Sequence, residues 1–241
     1  MSLALYIKQN PEEAIANKIR KKKKDRFFAS AILLVGFSSI IFAAWPLLVW
    51  NFGLIPKLAS KIENVPIPEV KVLSAKTSLI EDVQLATDPD GFSYFTTNLK
   101  PQKERPEEFS LAIPKLKIKD ALVKVDTLKF YDNLAHFPGT ALPGEVGNSF
   151  ITGHSVLPQF NDPTNYKEIF TDLSKLEIGD TVFAKIEGKT YQYVVQYKKV
   201  VDPSNTSVLA PIAKGAKTLT LMTCVPPGTS LKRLVVITSL I

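Results

Sequence analysis

The chain's single cysteine, Cys224, lies where a cysteine could act as a nucleophile. It ends the run 218–224, whose alternation of side chains predicts a β-strand with the thiol at its end. Pro226, Pro227 and Gly228 then predict a turn. A cysteine reacts as its thiolate, so this chemistry requires a base or a cation nearby. The alternative is an inert thiol that packs as a small apolar side chain.

The chain has two histidines that could supply the base, and His154 is the better placed. It follows the predicted strand 149–152, and Gly153 before it allows a close backbone approach. His136 lies instead in a loop-like stretch with Pro138 and Gly139. Either histidine could have a purely structural role, bonded to a backbone group. We predict that His154 is the partner of the thiol.

Arg233, nine residues after the cysteine, supplies a permanent cation with fixed donors. Because Lys232 precedes it on a predicted last strand, it could also be a solvent-exposed charge at a sheet edge. Without a second cysteine the chain forms no internal disulfide, and its histidines lack the spacing of metal ligands. We therefore predict no metal and no cofactor.

Residues 27–50 carry no charge and would span about 36 Å as a helix, enough for a hydrocarbon core of about 30 Å. A cleaved signal peptide has a shorter apolar region, and the Trp residues near the end suit a membrane interface, so an uncleaved anchor is favoured. Seven basic residues between 18 and 26 predict a cytoplasmic N-terminus. The rest of the chain would then lie outside the cell.

The net charge of +7 does not indicate a nucleic-acid-binding protein once it is divided along the chain. Residues 1–50 hold eight basic and three acidic side chains, which leaves a net charge of only +2 beyond them. The basic run is better explained as a topology signal beside anionic lipid headgroups.

The sequence predicts four regions. These are a basic cytoplasmic tail at 1–26, a transmembrane anchor at 27–50, a proline-containing stalk or extension at 51–108 and a domain at 109–241. Short apolar or alternating runs predict strands at 110–113, 121–125, 149–152, 181–186, 190–198, 218–224 and 231–240. Helical spacing predicts one short helix at 165–176. The domain is therefore mainly β, a small closed or sandwiched structure.

These motifs resemble those of the sortases. Residues 220–224 (Thr-Leu-Met-Thr-Cys) are similar to the family's TLxTC signature, and Gly153-His154 is similar to its Gly-His segment. Arg233 completes the order His, Cys, Arg, with a spacing closest to sortases of classes C, D and E. The resemblance covers residues 109–241. The sequence ends at its last predicted strand, without the second membrane span of many class C members.

The resemblance implies a closed β-barrel of about eight strands with short helices, after one N-terminal transmembrane helix. It implies a cysteine transpeptidase and endopeptidase of the bacterial cell membrane, acting on secreted proteins with an LPxTG-like sorting signal. Cys224 would form a thioacyl-enzyme, His154 would act as acid and base, and Arg233 would stabilise the oxyanion or hold the peptide. Thr223 would contact the peptide, although it could equally be a strand-packing residue. The acceptor would be an amine of a peptidoglycan precursor, for cell-wall anchoring, or a pilin lysine, for polymerisation.

Three alternatives remain open at this point. The chain could be an inactive membrane-anchored β-barrel that serves as a binding or scaffold module. An L,D-transpeptidase is disfavoured, since no SHGC-like signature is present. Finally, some family members cover the site with a lid that carries an Asp-Pro-aromatic motif. Asp88-Pro89 in the extension resembles it only in part, since an acidic residue stands where the aromatic would be, and a plain turn in a stalk is the favoured interpretation.

Overall fold

The computed structural model describes residues 11–49, 83–87, 93–99 and 105–241. The chain forms two compact units, Met1–Leu54 and Ile55–Ile241. The first contains helix α1 (Pro11–Val49). Its segment Arg26–Trp45, with a mean hydropathy of 2.3 in its most apolar part, is long and apolar enough to cross a membrane. The prediction of one such N-terminal helix is confirmed.

The second unit is built on a closed β-barrel. Its eight strands are β3 (Glu108–Ile113), β4 (Ile118–Lys124), β5 (Leu134–His136), β6 (Gly147–Thr152), β7 (Thr181–Ile186), β8 (Lys189–Val201), β9 (Lys217–Val225) and β10 (Lys232–Leu240). Around the barrel their order is β10-β8-β7-β3-β4-β5-β6-β9. The predicted mainly β fold, a closed barrel of about eight strands, is therefore confirmed.

Strand β9 lies between a parallel neighbour, β6, and an antiparallel neighbour, β10. Leu219 and Leu221 on one of its faces are fully buried, and Thr220 and Met222 on the other are nearly so. Leucines fill one face of this strand, and on the other the buried hydroxyls of Thr218 and Thr220 donate to Oδ1 of Asn148. The nucleophile candidate is thus carried by a strand that is paired on both sides and buried on both faces.

The helix predicted at 165–176 is wrong. The segment consists of turns and a short 3-10 helix, Leu173–Lys175. Its turns close by bonds between residues three apart, while the Phe170 amide donates to the carbonyl of His154 instead. The apolar residues that suggested a helix are still buried, as Phe170 and Leu176 illustrate. Their spacing reflected burial rather than helical hydrogen bonding.

The structure also contains a hairpin in the predicted stalk, made of β1 (Val83–Thr87) and β2 (Ser93–Thr97). Phe95 on β2 is 5% exposed and packs with residues of the barrel. The Asp88-Pro89 motif between the two strands lies outside the described residues. The short strand β5 was not predicted either, because three residues give too little pattern to recognise.

Candidate active site

Cys224 is the penultimate residue of β9 and its side chain is partly exposed. It lies on the same face of the strand as Thr220 and Met222. Burial raises the pKa of the Cys224 thiol, and the positive charge of Arg233 partly offsets this rise. The thiol is therefore held at the end of a strand under the influence of a fixed cation.

Arg233 is the residue directly opposite Cys224 in the β9–β10 pair. It is only 3% exposed, so the interpretation as a solvated edge charge is wrong. Its Nη1 donates to the carbonyl oxygens of Ser230 (2.9 Å) and Lys232 (3.1 Å). These bonds fold the guanidinium back toward the turn after β9, at the end of the strand where the thiol lies.

Three hydrogen bonds join the segment 153–155 to the end of β9. The Gly153 amide donates to the Met222 carbonyl (3.2 Å), and the Thr223 hydroxyl donates to the Gly153 carbonyl (2.9 Å). The Ser155 hydroxyl donates to the Cys224 carbonyl (2.8 Å). They continue the parallel β6–β9 ladder beyond its last registered pair, Thr152 and Met222. The backbone of His154 is thereby fixed beside the strand that carries the thiol.

Gly153 is required for this close approach. A Cβ at this position would lie 2.6 Å from Cδ2 of Leu134 and 2.8 Å from Cδ2 of Phe170, closer than real Cβ contacts. The sequence-based expectation that Gly153 permits backbone contact before the histidine is confirmed.

The His154 ring is partly buried and lies against two aromatic rings. Burial lowers its pKa from the ordinary value, and the positive charge of Lys167 lowers it further. Its Nε2 is buried and has no hydrogen-bond partner among the described residues. Such a nitrogen can exchange a proton with a bound substrate without first losing a protein partner.

The sortase-domain family model matches residues 111–241, more than half of the chain. The chain belongs to the sortase family. No curated relative matches this sortase.

Solved sortase structures resemble the chain. Sortase D5 transpeptidase of Clostridium perfringens is 28% identical over 59% of this chain and 82% of its own, with a TM-score of 0.48. Sortase C1 of Streptococcus suis is 30% identical over 56% and 73%, with a TM-score of 0.49. A mutant of sortase C-1 from S. pneumoniae is 28% identical over 60% and 74%, with a TM-score of 0.50.

The second histidine of this sortase, His136, is fully buried on β5. Its Nε2 lies 2.9 Å from the Ala141 carbonyl and 3.0 Å from the Thr140 hydroxyl. Its Nδ1 lies 3.6 Å from a carboxylate oxygen of Asp126. With no exposed surface, His136 has no access to a peptide, which agrees with its ranking behind His154.

Thr223 is 2% exposed, and its hydroxyl is bonded to Gly153. In this sortase its side chain therefore holds the His154 segment against β9. A contact of Thr223 with the peptide stays a prediction, as do the catalytic roles of Cys224, His154 and Arg233. Across residues 11–49, 83–87, 93–99 and 105–241 no cluster of His, Cys, Asp or Glu side chains could hold a metal ion.

An apolar cluster occupies the face of the sheet that carries Cys224. Strand register places Phe150, Met222 and Val235 on that face. The cluster consists of Phe95, Phe137, Phe150, Val201, Leu209, Met222, Val235 and Ile237. Phe95, from the hairpin, meets the rings of Phe137 and Phe150 at centroid distances of 6.3 and 6.4 Å. The hairpin therefore covers apolar surface on the same face as the thiol.

Sequence reasoning missed three features of this site: the ring contacts of His154, the Ser155 bond to Cys224 and the Phe95 contact. The Ser155 bond involves a residue type that is common in loops. Only the adjacent aromatics Phe130 and Tyr131, in a stretch otherwise rich in polar residues, gave a signal in the sequence.

Proposed function

We propose that this sortase is a membrane-anchored cysteine transpeptidase that cleaves an LPxTG-like sorting signal through a thioacyl-enzyme. One observation carries the proposal: Cys224 and the buried Arg233 lie directly opposite each other on the adjacent strands β9 and β10. The segment of His154 is hydrogen-bonded beside them. A thiol, a fixed cation and a histidine at one end of a barrel are the groups that acyl transfer from an amide needs.

In the first half-reaction the Cys224 sulfur attacks the carbonyl carbon of the scissile amide. The carbon–nitrogen bond then breaks, and His154 gives its proton to the departing amine. In the second half-reaction an incoming amine attacks the thioester and loses a proton to His154, and the thiolate leaves. The reaction begins and ends with an amide, so no oxidant, metal or energy source is consumed.

Arg233 would act at the tetrahedral intermediates. Its guanidinium is already desolvated and held by two backbone carbonyls, so little reorganisation would accompany the appearance of negative charge on the substrate oxygen. The same charge favours the thiolate of Cys224. Arg233 therefore serves both the attacking group and the intermediate.

The N-terminal helix would place this chemistry at a bacterial cell membrane, with the N-terminus cytoplasmic and the barrel outside. The seven basic residues between 18 and 26 support that orientation. The partners would be secreted proteins with a C-terminal sorting signal, and an amine from a peptidoglycan precursor or a pilin lysine.

The hairpin of the extension, strands β1 and β2, would act as a lid. Phe95 of its hairpin occupies the apolar cluster on the face of the sheet that carries Cys224. A sorting signal with apolar residues before its scissile bond would need apolar surface beside the thiol. Peptide and hairpin would then compete for that surface.

The test is ligation by the full chain in detergent, with a set of LPxTG-type peptides and an amine acceptor, followed by mass spectrometry. We expect a ligated product, and a Cys224 adduct that is absent from Cys224→Ala. His154→Ala and Arg233→Ala should each reduce turnover at least 100-fold. Lys232→Ala is the matched control: it removes an exposed cation one residue from Arg233 and should change turnover less than twofold.

No product and no adduct with any peptide would favour the inactive binding module instead. Equal losses in Lys232→Ala and Arg233→Ala would mean that general charge at this end of the barrel, and not the buried guanidinium, is responsible.

A further inference from the structure

The ring of His154 is held by aromatic contacts. Its centroid lies 4.2 Å from that of Phe130, with 36° between the ring planes, and 5.2 Å from that of Tyr131, with 47°. Phe130 is partly buried, while Tyr131 is 64% exposed and lies toward solvent. The Tyr131 distance lies within the range of about 4.5–7 Å in which aromatic rings stabilise one another beyond their buried area, and the Phe130 distance is slightly shorter.

The loop between β4 and β5 that carries both rings is closed by its own hydrogen bonds. Asn133 is 7% exposed, and its Nδ2 donates to the carbonyls of Lys129 (2.9 Å) and Leu134 (2.8 Å). The Lys129 amide donates in turn to the Thr127 hydroxyl (3.1 Å). The positions of Phe130 and Tyr131 are therefore set by the loop backbone, and not by a casual contact with the histidine.

No hydrogen bond orients the ring of His154 among the residues that the structure describes. In the Ser-His-Asp arrangement a carboxylate fixes the plane of the imidazole through a hydrogen bond. Here the contacts that the structure shows for the imidazole are those with the rings of Phe130 and Tyr131. The arrangement contrasts with His136, whose two nitrogens both have polar neighbours within the barrel.

We propose that Phe130 and Tyr131 are positioning residues of this sortase, which fix the ring plane of His154 and take the place of an orienting carboxylate. The inference rests on the proposed function, in which His154 passes a proton to the leaving amine. A misoriented imidazole lowers the rate of proton transfer even when its chemistry is intact.

The rings also act on the charged form. An imidazolium within about 6 Å of an aromatic centroid is attracted to the ring face. Phe130 and Tyr131, which together form an aromatic clamp on His154, therefore favour the form of His154 that donates its proton. Burial opposes protonation, and so does the positive charge of Lys167, and together they lower the pKa of His154. Removing a ring should therefore move the pKa upward.

The test uses the full chain in detergent with histidine labelled at Cε1. Because the chain has two histidines, NMR gives two signals, and His136 serves as an internal reference. In Phe130→Ala the His154 midpoint should rise toward about 6.5 as water reaches the ring. The kcat for ligation should fall about 10- to 100-fold, with KM changed less than threefold. Phe130→Tyr, which retains a ring, should keep the His154 midpoint at its original pH and the kcat within about threefold of the original value.

The matched control is Phe109→Leu. Phe109 is a buried aromatic in edge contact with His136, at a centroid distance of 6.0 Å. Phe109→Leu should alter the His136 signal and leave the His154 midpoint unchanged. It therefore distinguishes the effect of lost core packing from the effect of losing the contact between Phe130 and His154. For the exposed ring, Tyr131→Phe should match the original enzyme and Tyr131→Ala should lose rate.

An unchanged His154 midpoint and an unchanged kcat in Phe130→Ala would overturn the inference. So would an equal loss of rate in Phe130→Ala and Phe130→Tyr with the His154 signal unmoved. The titration needs no substrate. If the original enzyme ligates no peptide, the proposed function fails, while the His154 midpoint in Phe130→Ala still decides whether the rings control the histidine.

Discussion

At the scale of single residues, burial acts in opposite directions on the two titrating groups of the site. It raises the pKa of Cys224 and lowers the pKa of His154, so both are neutral over a wide range around neutral pH. With ordinary values of about 8.5 and 6.5, about 1% of the molecules would hold the thiolate–imidazolium pair, and these shifts reduce that share. A thiol kept protonated is also less readily oxidised.

The pH dependence of kcat/KM follows from these directions. Between the two pKa values the share of molecules with the thiolate–imidazolium pair is constant, so kcat/KM should be level there. It should fall on an acid limb below about pH 6.5 and on an alkaline limb above about pH 8.5. Arg233→Gln should move the alkaline limb higher, because the charge that lowers the thiol pKa is lost, while Arg233→Lys should keep it near its original position. Alkylation of Cys224 by iodoacetamide against pH measures the same limb directly. A limb at the same pH in Arg233→Gln and Arg233→Lys would contradict the assignment.

Residue types and their order were enough to predict Cys224, His154 and Arg233 as candidates, and the fold brings all three to one end of the barrel. The positions of Phe130 and Tyr131 could not be predicted in this way. They precede His154 by more than 20 residues, and their meeting depends on how the loop after β4 closes. The burial of Arg233 was also not predicted, because alternation along the strand does not say which of Lys232 and Arg233 faces inward.

At the scale of elements, a buried ionic network joins the start of β3 to the loops after β4 and β5. Nη1 of Arg105 contacts both carboxylate oxygens of Asp126, at 2.9 and 3.0 Å, and Nη2 donates to the Thr140 carbonyl. Burial alone would raise the pKa of Asp126, but the His136 contact and the Arg105 charge outweigh it and lower that pKa. The ion pair therefore stabilises the fold.

Arg105→Gln should lower the free energy of unfolding by about 3 kcal/mol at pH 7, since it leaves the Asp126 carboxylate buried without its cation. Because the pKa of Asp126 is lower in the folded state, its contribution is complete above about pH 4 and is lost as the pH falls through the folded value. The difference in the free energy of unfolding between Arg105→Gln and the original protein should therefore be smaller at acidic pH. Urea unfolding at pH 7 and pH 3 measures both effects.

Lys115→Gln provides the comparison, because its ion pair with Glu177 is exposed and should be worth less than about 1 kcal/mol. If Arg105→Gln and Lys115→Gln lowered the free energy of unfolding equally, burial would not be what makes the Arg105 ion pair important.

Prediction at this scale succeeded for long strands and failed where a backbone amide bonds to a residue far away in the sequence. The strands β7 and β9 were predicted to within one residue, because alternation or a continuous apolar run fills their length. The segment 165–176 has the apolar spacing of a helix, yet the amide of Phe170 bonds across to His154. The sequence carries no signal for such a bond.

At the scale of the whole unit Ile55–Ile241, the hairpin contact makes the lid proposal testable. Phe95→Ser removes the ring from the apolar cluster and should increase the rate at which a peptide vinyl sulfone labels Cys224. The rise would be up to about tenfold if the covered state outweighs the open one by about ten to one. Gln84→Ser, at an exposed position of the same hairpin, should leave the rate unchanged. Equal labelling rates in both variants would argue for a structural hairpin without a lid function.

The position of β9 has a mechanical consequence for a proposed thioacyl-enzyme. A surface protein attached to Cys224 would transmit any external pull to the end of a strand that is flanked by β6 on one side and β10 on the other. Tension along that strand loads both ladders in shear, so many hydrogen bonds must fail together instead of opening one after another. The bonds from Thr223 and Ser155 reinforce the loaded end.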